Sequence, residues 1–176
     1  PALQLVKTKP GAHLVSSTFI MIRESDGEKL AMADCAINID YQDTLDKEGN
    51  VTYTAAQKLA EVAVETAKTA KVFEIDPKVA FLSFSTKGSG KGGTVKLSHD
   101  ATIEAQKMAP DLPIDGELQF DAAVSPTVAK TKCSDSKVAG QANVFIFPGI
   151  EAGNIGYKIA QRLGGFDAYG PILQGL

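Results

Sequence analysis

Residues 82–93, LSFSTKGSGKGG, combine hydroxyls, lysines and glycines in a way that can hold phosphate. A phosphate-binding loop of the nucleotide-hydrolase type has the pattern G-x-x-x-x-G-K-[ST], in which backbone N–H groups surround the phosphates and a hydroxyl binds magnesium. Here the first glycine would fall at Ser85, and the residue after the Gly-Lys pair is Gly92, so nucleotide hydrolysis is excluded. Two interpretations stay open: a loop whose Ser85, Thr86 and Lys87 face an anion, or an exposed connector.

A second glycine-rich stretch, FPGIEAGNIGYK at 147–158, follows an apolar run. Ligands of α/β sheets lie beyond the carboxyl ends of the strands, where a helix N-terminus offers free N–H groups to an anion. Asn154 is placed to cap a helix predicted at 155–163, with Gly156 and Lys158 beside it. The spacing is not G-x-G-x-x-G, so a dinucleotide fold is not supported. A phosphorylated ligand and a tight structural turn both account for the stretch.

Three carboxylates, Asp115, Glu117 and Asp121, lie close together in DGELQFDAA at 115–123. Paired carboxylates perform acid–base chemistry where burial separates their pKa values. A turn, a short strand and an N-capping Asp121 explain the same residues without catalysis. We favour this second interpretation.

Ser98, His99 and Asp100 are the residue types of a hydrolytic triad, yet three consecutive residues cannot form that relay in space. We expect Ser98 to be a helix N-cap and Asp100 a first-turn acid that the helix dipole favours. The sequence also contains no G-x-S-x-G elbow, so it gives no support to a serine hydrolase.

The composition is that of a soluble globular domain, with 176 residues, 44% hydrophobic and 22% charged. A net charge of −3, with both signs interleaved, gives no basic field for nucleic acid. Cys35 and Cys133 lie far apart and only two histidines are present, so neither a disulfide framework nor a zinc site is predicted. No apolar run approaches the ~20 residues that span a bilayer. These features predict a cytoplasmic protein with no membrane partner.

The first half of the chain predicts a hairpin and a helix. Extended runs at 15–23 and 30–39 flank the Asp26-Gly27 pair, which is typical of a hairpin turn. A capping box of the form S/T-x-x-E/Q begins at Thr54, and apolar residues at helical spacing continue toward Lys71. This helix has a buried stripe of small residues that lets a partner element approach closely, and we expect the helix to pack on a second subunit.

Beyond Pro77, strands and helices alternate. The pattern predicts strands at 79–84, 114–120 and 142–147, and helices at about 98–108, about 122–132 and 155–163. Repeated βα units indicate a largely parallel sheet with helices packed against it, and the hairpin makes that sheet mixed. The predicted fold class is therefore α/β.

Five blocks in order, LSFSTKGS, DGELQFDAA, VAGQANVFIFP, AGNIGYKIAQRL and GPILQGL, closely resemble phosphate acetyltransferases of the phosphate acetyl/butyryltransferase family. The likeness extends back through PALQLVKTKPG and covers essentially the whole chain. It implies the isocitrate/isopropylmalate dehydrogenase-like fold. It also implies a fragment with a stub of the first domain at 1–14, the second α/β domain at 15–164 and a return segment at 165–176.

The resemblance implies the reversible reaction acetyl-CoA + phosphate = CoA + acetyl phosphate, in a cytoplasmic homodimer that uses CoA as substrate and needs no cofactor. In such enzymes arginines hold the phosphate and an acidic side chain deprotonates the CoA thiol. The blocks that carry these groups lie outside this sequence, and Arg23 and Arg162 match neither. We therefore assign no catalytic residue and no metal ligand, and expect the isolated chain to be inactive.

The expected substrate-binding residues, on the CoA or phosphate side, lie in the two glycine-rich stretches and the closing block: Ser85, Thr86, Lys87, Asn154, Gly156, Lys158 and Gln174. Two alternatives stay open. One is a phosphate butyryltransferase or another acyl-phosphate exchanger. The other is a non-catalytic oligomerisation or CoA-binding domain, which the missing arginines favour. A metal-dependent dehydrogenase of the same fold has no support from a dinucleotide motif or a carboxylate cluster.

Overall fold

The computed structural model of the chain describes residues 7–176. Strands and helices alternate through most of this span. They are β1 Ser16–Arg23, β2 Glu28–Ala33, β3 Thr44–Leu45, β4 Val51–Tyr53, α1 Ala55–Val72, β5 Val79–Leu82, α2 Val95–Met108, β6 Ile114–Leu118, α3 Phe120–Val124, α4 Pro126–Lys132, β7 Val144–Ile146, α5 Ile150–Leu163 and β8 Asp167–Gln174. Within residues 7–176, no helix has both the length and the apolar character that crossing a membrane requires.

Six of the strands form one sheet in the order β6-β5-β7-β2-β1-β8, and β3 pairs with β4 in a separate hairpin. The strands β6, β5, β7 and β2 run parallel to one another. The β1–β2 pair is antiparallel, as the Asp26-Gly27 turn predicts, and β8 pairs antiparallel with β1. The predicted α/β class with a mixed, largely parallel sheet is therefore confirmed.

Alternating side chains of the strands supply a hydrophobic core on each face of the sheet. In β5, Val79 and Phe81 pack toward α1 and α2, whereas Ala80 and Leu82 pack toward the face that α3 and α5 cover. This division follows from the two-residue period of a strand. Because both faces of β5 are covered, its four residues are all buried.

The predicted capping box of α1 is present. The Thr54 hydroxyl accepts a hydrogen bond from the Gln57 amide at 3.0 Å, and the Gln57 side chain accepts one from the Thr54 amide at 2.8 Å. The small-residue stripe of α1, however, lies in the core of its own domain, with Ala60, Ala63 and Ala67 fully buried. This stripe is not available to a second subunit, because the sheet and α2 already occupy it. That another face of the helix packs on a second subunit stays a prediction.

The predicted bounds of four elements are also wrong. The second hairpin strand ends at Ala33 instead of residue 39, because the chain turns around a buried aspartate described below. The helix predicted at 122–132 is two helices, α3 and α4, since Pro126 cannot continue the first and begins the second with Ser125 as its cap. The helices α2 and α5 begin three and five residues earlier than predicted, at Val95 and Ile150.

The proposed division of the chain at residues 14 and 164 stays a prediction, and residues 1–6 of its first segment lie outside the described part. In the described part, β8 belongs to the same sheet as β1. The Lys9 amide donates to the Gly175 carbonyl at 3.1 Å, so the two ends of this part lie side by side.

Candidate functional site

The four parallel strands end at one edge of the sheet, which we call the C-terminal edge. Strands β2, β7, β5 and β6 reach it at Ala33, Ile146, Leu82 and Leu118. Loops at such an edge are where α/β proteins bind ligands. Both glycine-rich stretches singled out in the sequence leave the sheet here, one after β5 and one after β7.

The stretch between β5 and α2, residues 83–94, is the glycine-rich loop. The Ser85 hydroxyl is buried and donates to Oε1 of Glu117 at 2.9 Å, while it accepts a hydrogen bond from the Gly90 amide at 2.9 Å. The Gly88 amide donates to the same Oε1 at 2.6 Å. Ser85 therefore closes the loop on itself, and Glu117 fastens the loop to β6.

The next two predicted binding residues also contact β6 or the residue that follows it. The Thr86 hydroxyl donates to the Gln119 side chain at 3.2 Å and accepts from the Gln119 amide at 2.9 Å. The Lys87 ammonium pairs with Asp115 and donates to the Gly116 carbonyl at 3.1 Å. The structure thus brings Ser85, Thr86 and Lys87 together, with their polar groups bonded inside the chain.

Glu117 is the most buried ionisable group of this loop region, at 1% exposure. Its second oxygen, Oε2, lies 3.2 Å from Nδ1 of His99, whose side chain is 55% exposed. Burial is the largest single influence and raises the pKa of Glu117. Hydrogen bonds from the Gly88 amide, its own amide, the Ser85 hydroxyl and His99 together hold that pKa below its usual value.

The carboxylates at 115–123 are not paired with one another. Asp115 pairs with Lys87, and the half-exposed Asp121 lies 3.1 Å from Lys132. The predicted short strand is confirmed, because Asp115 and Glu117 lie in β6, and the absence of a catalytic role stays a prediction. The expectation that Asp121 is an N-cap is wrong, because Gln119 has that position.

Ser98, His99 and Asp100 do not form a relay, as expected. Because α2 begins before them, Ser98 is not an N-cap, and its buried hydroxyl donates to the Leu82 carbonyl at 2.9 Å. Asp100 pairs with Lys96 on the same helix. His99 instead contacts Glu117, which is 18 residues away in the sequence, so the Ser-His-Asp motif could not indicate this partner.

The second glycine-rich stretch begins α5. Its N-cap is Gly149, so the predicted capping role of Asn154 is wrong. Asn154 lies inside the helix and donates to the Cys35 carbonyl at 3.1 Å, which ties α5 to the loop after β2. Gly156 faces the Phe147 ring, and a Cβ there would lie 3.0 Å from it. Lys158 is exposed.

The loop after β2 has an anchor of its own that the sequence analysis missed. Asp34 is 1% exposed and accepts five hydrogen bonds. The Ser17 hydroxyl donates at 2.6 Å and the Asn38 side chain at 2.6 Å, and the amides of residues 36, 37 and 38 donate the other three. An aspartate directly after an apolar strand run was the available signal.

The family model for phosphate acetyl/butaryl transferase matches residues 1–176, which is all of the sequence. The chain belongs to this family.

Individual proteins and solved structures also match the chain over most or all of its length. A phosphate acetyltransferase of Bacillus subtilis (strain 168) is 54% identical over 176 residues, a match that covers 100% of this chain and 50% of the relative. The crystal structure of a phosphotransacetylase from Streptococcus pyogenes has a TM-score of 0.90 and 58% identity, with 100% of this chain and 50% of that chain covered. A branched-chain phosphotransacylase from Enterococcus faecalis V583 shares the fold at 21% identity and a TM-score of 0.71, over 94% of this chain and 54% of its own. The chain spans about half the length of the curated relatives it matches.

Neither arginine of the chain lies at the C-terminal edge in the manner of a phosphate ligand. Arg23 ends β1 at the opposite edge, where it pairs with Asp26 and Glu28. Arg162 is exposed in the last turn of α5. The structure therefore gives no reason to assign either residue to catalysis.

Gln174 lies in β8 and is buried. Its Nε2 donates to the hydroxyls of Ser16 and Thr66, both at 3.1 Å, and its Oε1 accepts from Thr69 at 2.9 Å. These bonds join β8 to β1 and α1. These structural bonds use both ends of the Gln174 amide, and the expected contact of Gln174 with substrate stays a prediction.

The two cysteines are free thiols. Burial raises the pKa of Cys35 well above its ordinary value, and burial is also the main reason that the pKa of Cys133 is raised. Neither thiol is poised to be a thiolate. Among residues 7–176, no three His, Cys, Asp or Glu side chains lie close enough together to hold a metal ion.

Proposed function

We propose that this chain is one half of an enzyme that transfers an acetyl group reversibly between CoA and phosphate. The single observation that carries the proposal is that the whole chain aligns with relatives named phosphate acetyltransferase, at 54% identity with the Bacillus protein. The substrates would be acetyl-CoA and phosphate, and the products CoA and acetyl phosphate. No cofactor is needed for this exchange, because the thioester and the acyl phosphate are both activated.

We expect the two halves to divide the work. This half supplies the C-terminal edge of the sheet, with the glycine-rich loop and the start of α5. The other half would supply the arginines and the acidic base, since Arg23 and Arg162 both lie elsewhere. Positioning two substrates between two halves removes part of the entropic barrier to transfer.

The test is acetyl-CoA formation from acetyl phosphate and CoA by two proteins. One is the 176-residue chain, and the other is the extended protein, a version lengthened on both sides to the full span of its relatives. We expect activity in the extended protein and none in the chain alone. Activity in the short chain would show that the catalytic groups lie among the residues described here.

The same assay separates the acyl-chain alternatives. We expect the extended protein to turn over acetyl-CoA faster than butyryl-CoA. A preference for butyryl-CoA would identify a phosphate butyryltransferase instead. Absence of turnover with both substrates would favour a non-catalytic CoA-binding or oligomerisation domain.

The contacts with substrate are also proposed. The support is that the glycine-rich loop and α5 both adjoin the C-terminal edge and that Lys158 has an exposed ammonium group. Ser85 and Thr86 would act by shaping the loop, because their hydroxyls are already bonded to Glu117 and Gln119. If this placement is right, Lys158→Ala and Asn154→Ala in the extended protein raise the KM for CoA or phosphate. If both variants keep unchanged KM values for CoA and for phosphate, α5 does not contribute to the substrate site.

A homodimer is supported by an apolar stripe on α5. Ile155, Ile159 and Leu163 recur every four residues and are 58%, 53% and 85% exposed. This spacing places them on one helix face, which burial against a second copy would remove from water.

We expect Ile159→Glu to convert a dimer of the extended protein to a monomer in sedimentation velocity. Ile103→Glu, a 40% exposed isoleucine on α2, is the matched control and leaves the dimer intact. Sedimentation of the unaltered protein as a monomer would contradict the proposal.

We further propose a cytoplasmic location. Both cysteines are free, which fits a reducing compartment. Fractionation of cells that express the extended protein tests this placement.

A further inference from the structure

Glu117 of β6 is hydrogen-bonded at three points to two neighbouring elements, the glycine-rich loop and α2. Its carboxylate accepts from Ser85 at the start of the glycine-rich loop, from Gly88 in the middle of that loop and from His99 on α2. A buried carboxylate is costly unless several donors satisfy it. Here the donors are the loop itself, so the loop conformation and the burial of Glu117 depend on each other.

A glutamine of the same shape would not satisfy these contacts equally. A carboxylate accepts at both oxygens, whereas an amide accepts at one atom and donates at the other. The Ser85 hydroxyl and the Gly88 amide both point at Oε1, and His99 lies against Oε2. If the NH₂ group of a glutamine took the place of Oε1, it would face the Ser85 and Gly88 donors with another donor. If it took the place of Oε2, His99 would have to accept a hydrogen bond instead of donating one. Bonds to an ionised group are also about twice as strong as neutral ones.

The loop that Glu117 anchors borders a small open cavity at this edge. Gly88, Gly90 and Lys91 line it from the loop, and His99 and Glu117 line it from the other side, around a volume of ≈ 280 Å³. Because Glu117 bonds to Ser85 and Gly88, the backbone wall of this cavity is fixed by one side chain on β6.

We propose that Glu117 is a positioning residue for acyl transfer, which holds the glycine-rich loop in the conformation that meets CoA or phosphate. The inference rests on the proposed function, because it requires the loop to border a substrate. Glu117 acts through Ser85 and Gly88 and does not itself touch the reacting atoms. The carboxylate is needed because three donors converge on it.

The test compares Glu117→Gln with Glu104→Gln in the extended protein. Glu104 lies on α2 and pairs with Lys107, so the control makes the same change of charge without touching the loop. For Glu117→Gln we expect the KM of CoA or of phosphate to rise at least fivefold while kcat stays within threefold. Glu117→Asp, which keeps the charge and shortens the side chain, should recover part of that rise. Glu104→Gln should leave both constants within twofold of the unaltered protein.

Two outcomes would overturn the proposal. One is a Glu117→Gln protein with both KM values within twofold of the unaltered protein. The other is a fall in kcat alone, in proportion to a loss of folded protein, which is what a merely structural role produces. If Glu117→Gln does not fold, Ser85→Ala is the deciding variant, because it leaves the carboxylate in place and removes the hydroxyl that donates to Glu117 and accepts from Gly90. We expect a KM rise of at least twofold for Ser85→Ala, and unchanged KM values in that folded variant would contradict the role.

Failure of the proposed function would look different. If the unaltered extended protein exchanges no acetyl group, the function is wrong, and the anchoring can still be measured by amide hydrogen exchange. Faster exchange at Gly88 in Glu117→Gln than in Glu104→Gln would support the anchoring, and equal rates would overturn it.

Discussion

Two buried carboxylates hold two loops at the same edge of the sheet, and they do so differently. Asp34 and Glu117 are each 1% exposed. Asp34 accepts five hydrogen bonds, all from backbone amides and uncharged side chains of β1 and of the loop after β2. Glu117 accepts three from elsewhere in the chain, and one of these comes from a half-exposed histidine.

The difference indicates a division between a fixed and an adjustable loop. The loop after β2 is closed around Asp34 and is also held by Asn154 of α5. The carboxylate that anchors the glycine-rich loop accepts fewer bonds from elsewhere in the chain than Asp34 does, and His99 connects it to solvent. Buried networks with every member satisfied are rigid, whereas elements that must respond to a ligand are held by fewer contacts.

The largest expected effect is that of removing the Asp34 carboxylate. Asp34→Ala leaves five donors without their acceptor, so we expect the free energy of unfolding to fall by about 3–5 kcal/mol. Glu117→Ala should cost less, about 2–3 kcal/mol, because its loop can turn its donors toward water. Urea unfolding of the chain measures both. Asp76→Ala is the control, since that side chain is 91% exposed and the change should stay within about 0.5 kcal/mol. Equal losses for Asp34→Ala and Glu117→Ala would remove the distinction between the two loops.

A methyl group added near each anchor should show the same contrast. A Cβ at Gly153 would lie 2.3 Å from the Asp34 carbonyl oxygen, so Gly153→Ala must displace α5 and cost about 1–3 kcal/mol. A Cβ at Gly90 would lie 2.9 Å from the ring of Phe84, which is 61% exposed and free to move. Gly90→Ala should therefore change stability by less than about 1 kcal/mol. Thermal unfolding of the two variants side by side is the measurement, and a larger loss for Gly90→Ala would contradict a rigid first loop.

Removal of a single donor should reverse the order of the stability losses, so that the glycine-rich loop is the more sensitive of the two. Ser17 and Ser85 are both fully buried and each donates to one of the two carboxylates. Ser85→Ala leaves Glu117 with two donors from elsewhere and deprives the Gly90 amide of its acceptor, so we expect a loss of about 2 kcal/mol. Ser17→Ala leaves Asp34 with four bonds and should cost about 1 kcal/mol. Urea midpoints of the two variants decide, and a greater loss for Ser17→Ala would show that the number of donors does not set the sensitivity.

Much of the fold follows from local sequence. The Asp26-Gly27 turn predicted the hairpin, the Thr54 capping box predicted the start of α1, and the alternation beyond Pro77 predicted the parallel strands. The starts of α2 and α5 did not follow, because neither helix has a capping side chain: Thr94 makes no capping hydrogen bond, and Gly149 has no side chain to make one.

The contacts of Asp34 and Glu117 could not be predicted from local sequence for another reason. Asp34 meets Ser17 because β1 and β2 pair in one particular register, and Glu117 meets Ser85 because β5 and β6 lie side by side. These contacts join residues 17 and 32 positions apart. The residue types were visible, but which of them meet depends on strand pairing that periodicity alone does not specify.

The smallest expected effect, and the one that isolates the Glu117 charge, is a difference in pH dependence. The folded protein holds the pKa of Glu117 below its ordinary value. A carboxyl group of this kind stabilises the fold above its unfolded pKa of about 4.3, and that contribution disappears as the pH falls through the lower, folded pKa.

The unaltered chain should therefore lose stability relative to Glu117→Gln as the pH falls below about 4.3. The two curves should run parallel between about pH 6 and 8, where the carboxylate is ionised in both folded and unfolded states. Urea unfolding of the unaltered chain and of Glu117→Gln across this range is the measurement. Parallel curves down to the lowest pH would mean that the hydrogen bonds of Glu117 do not favour its charged form, and the glycine-rich loop would then need another anchor.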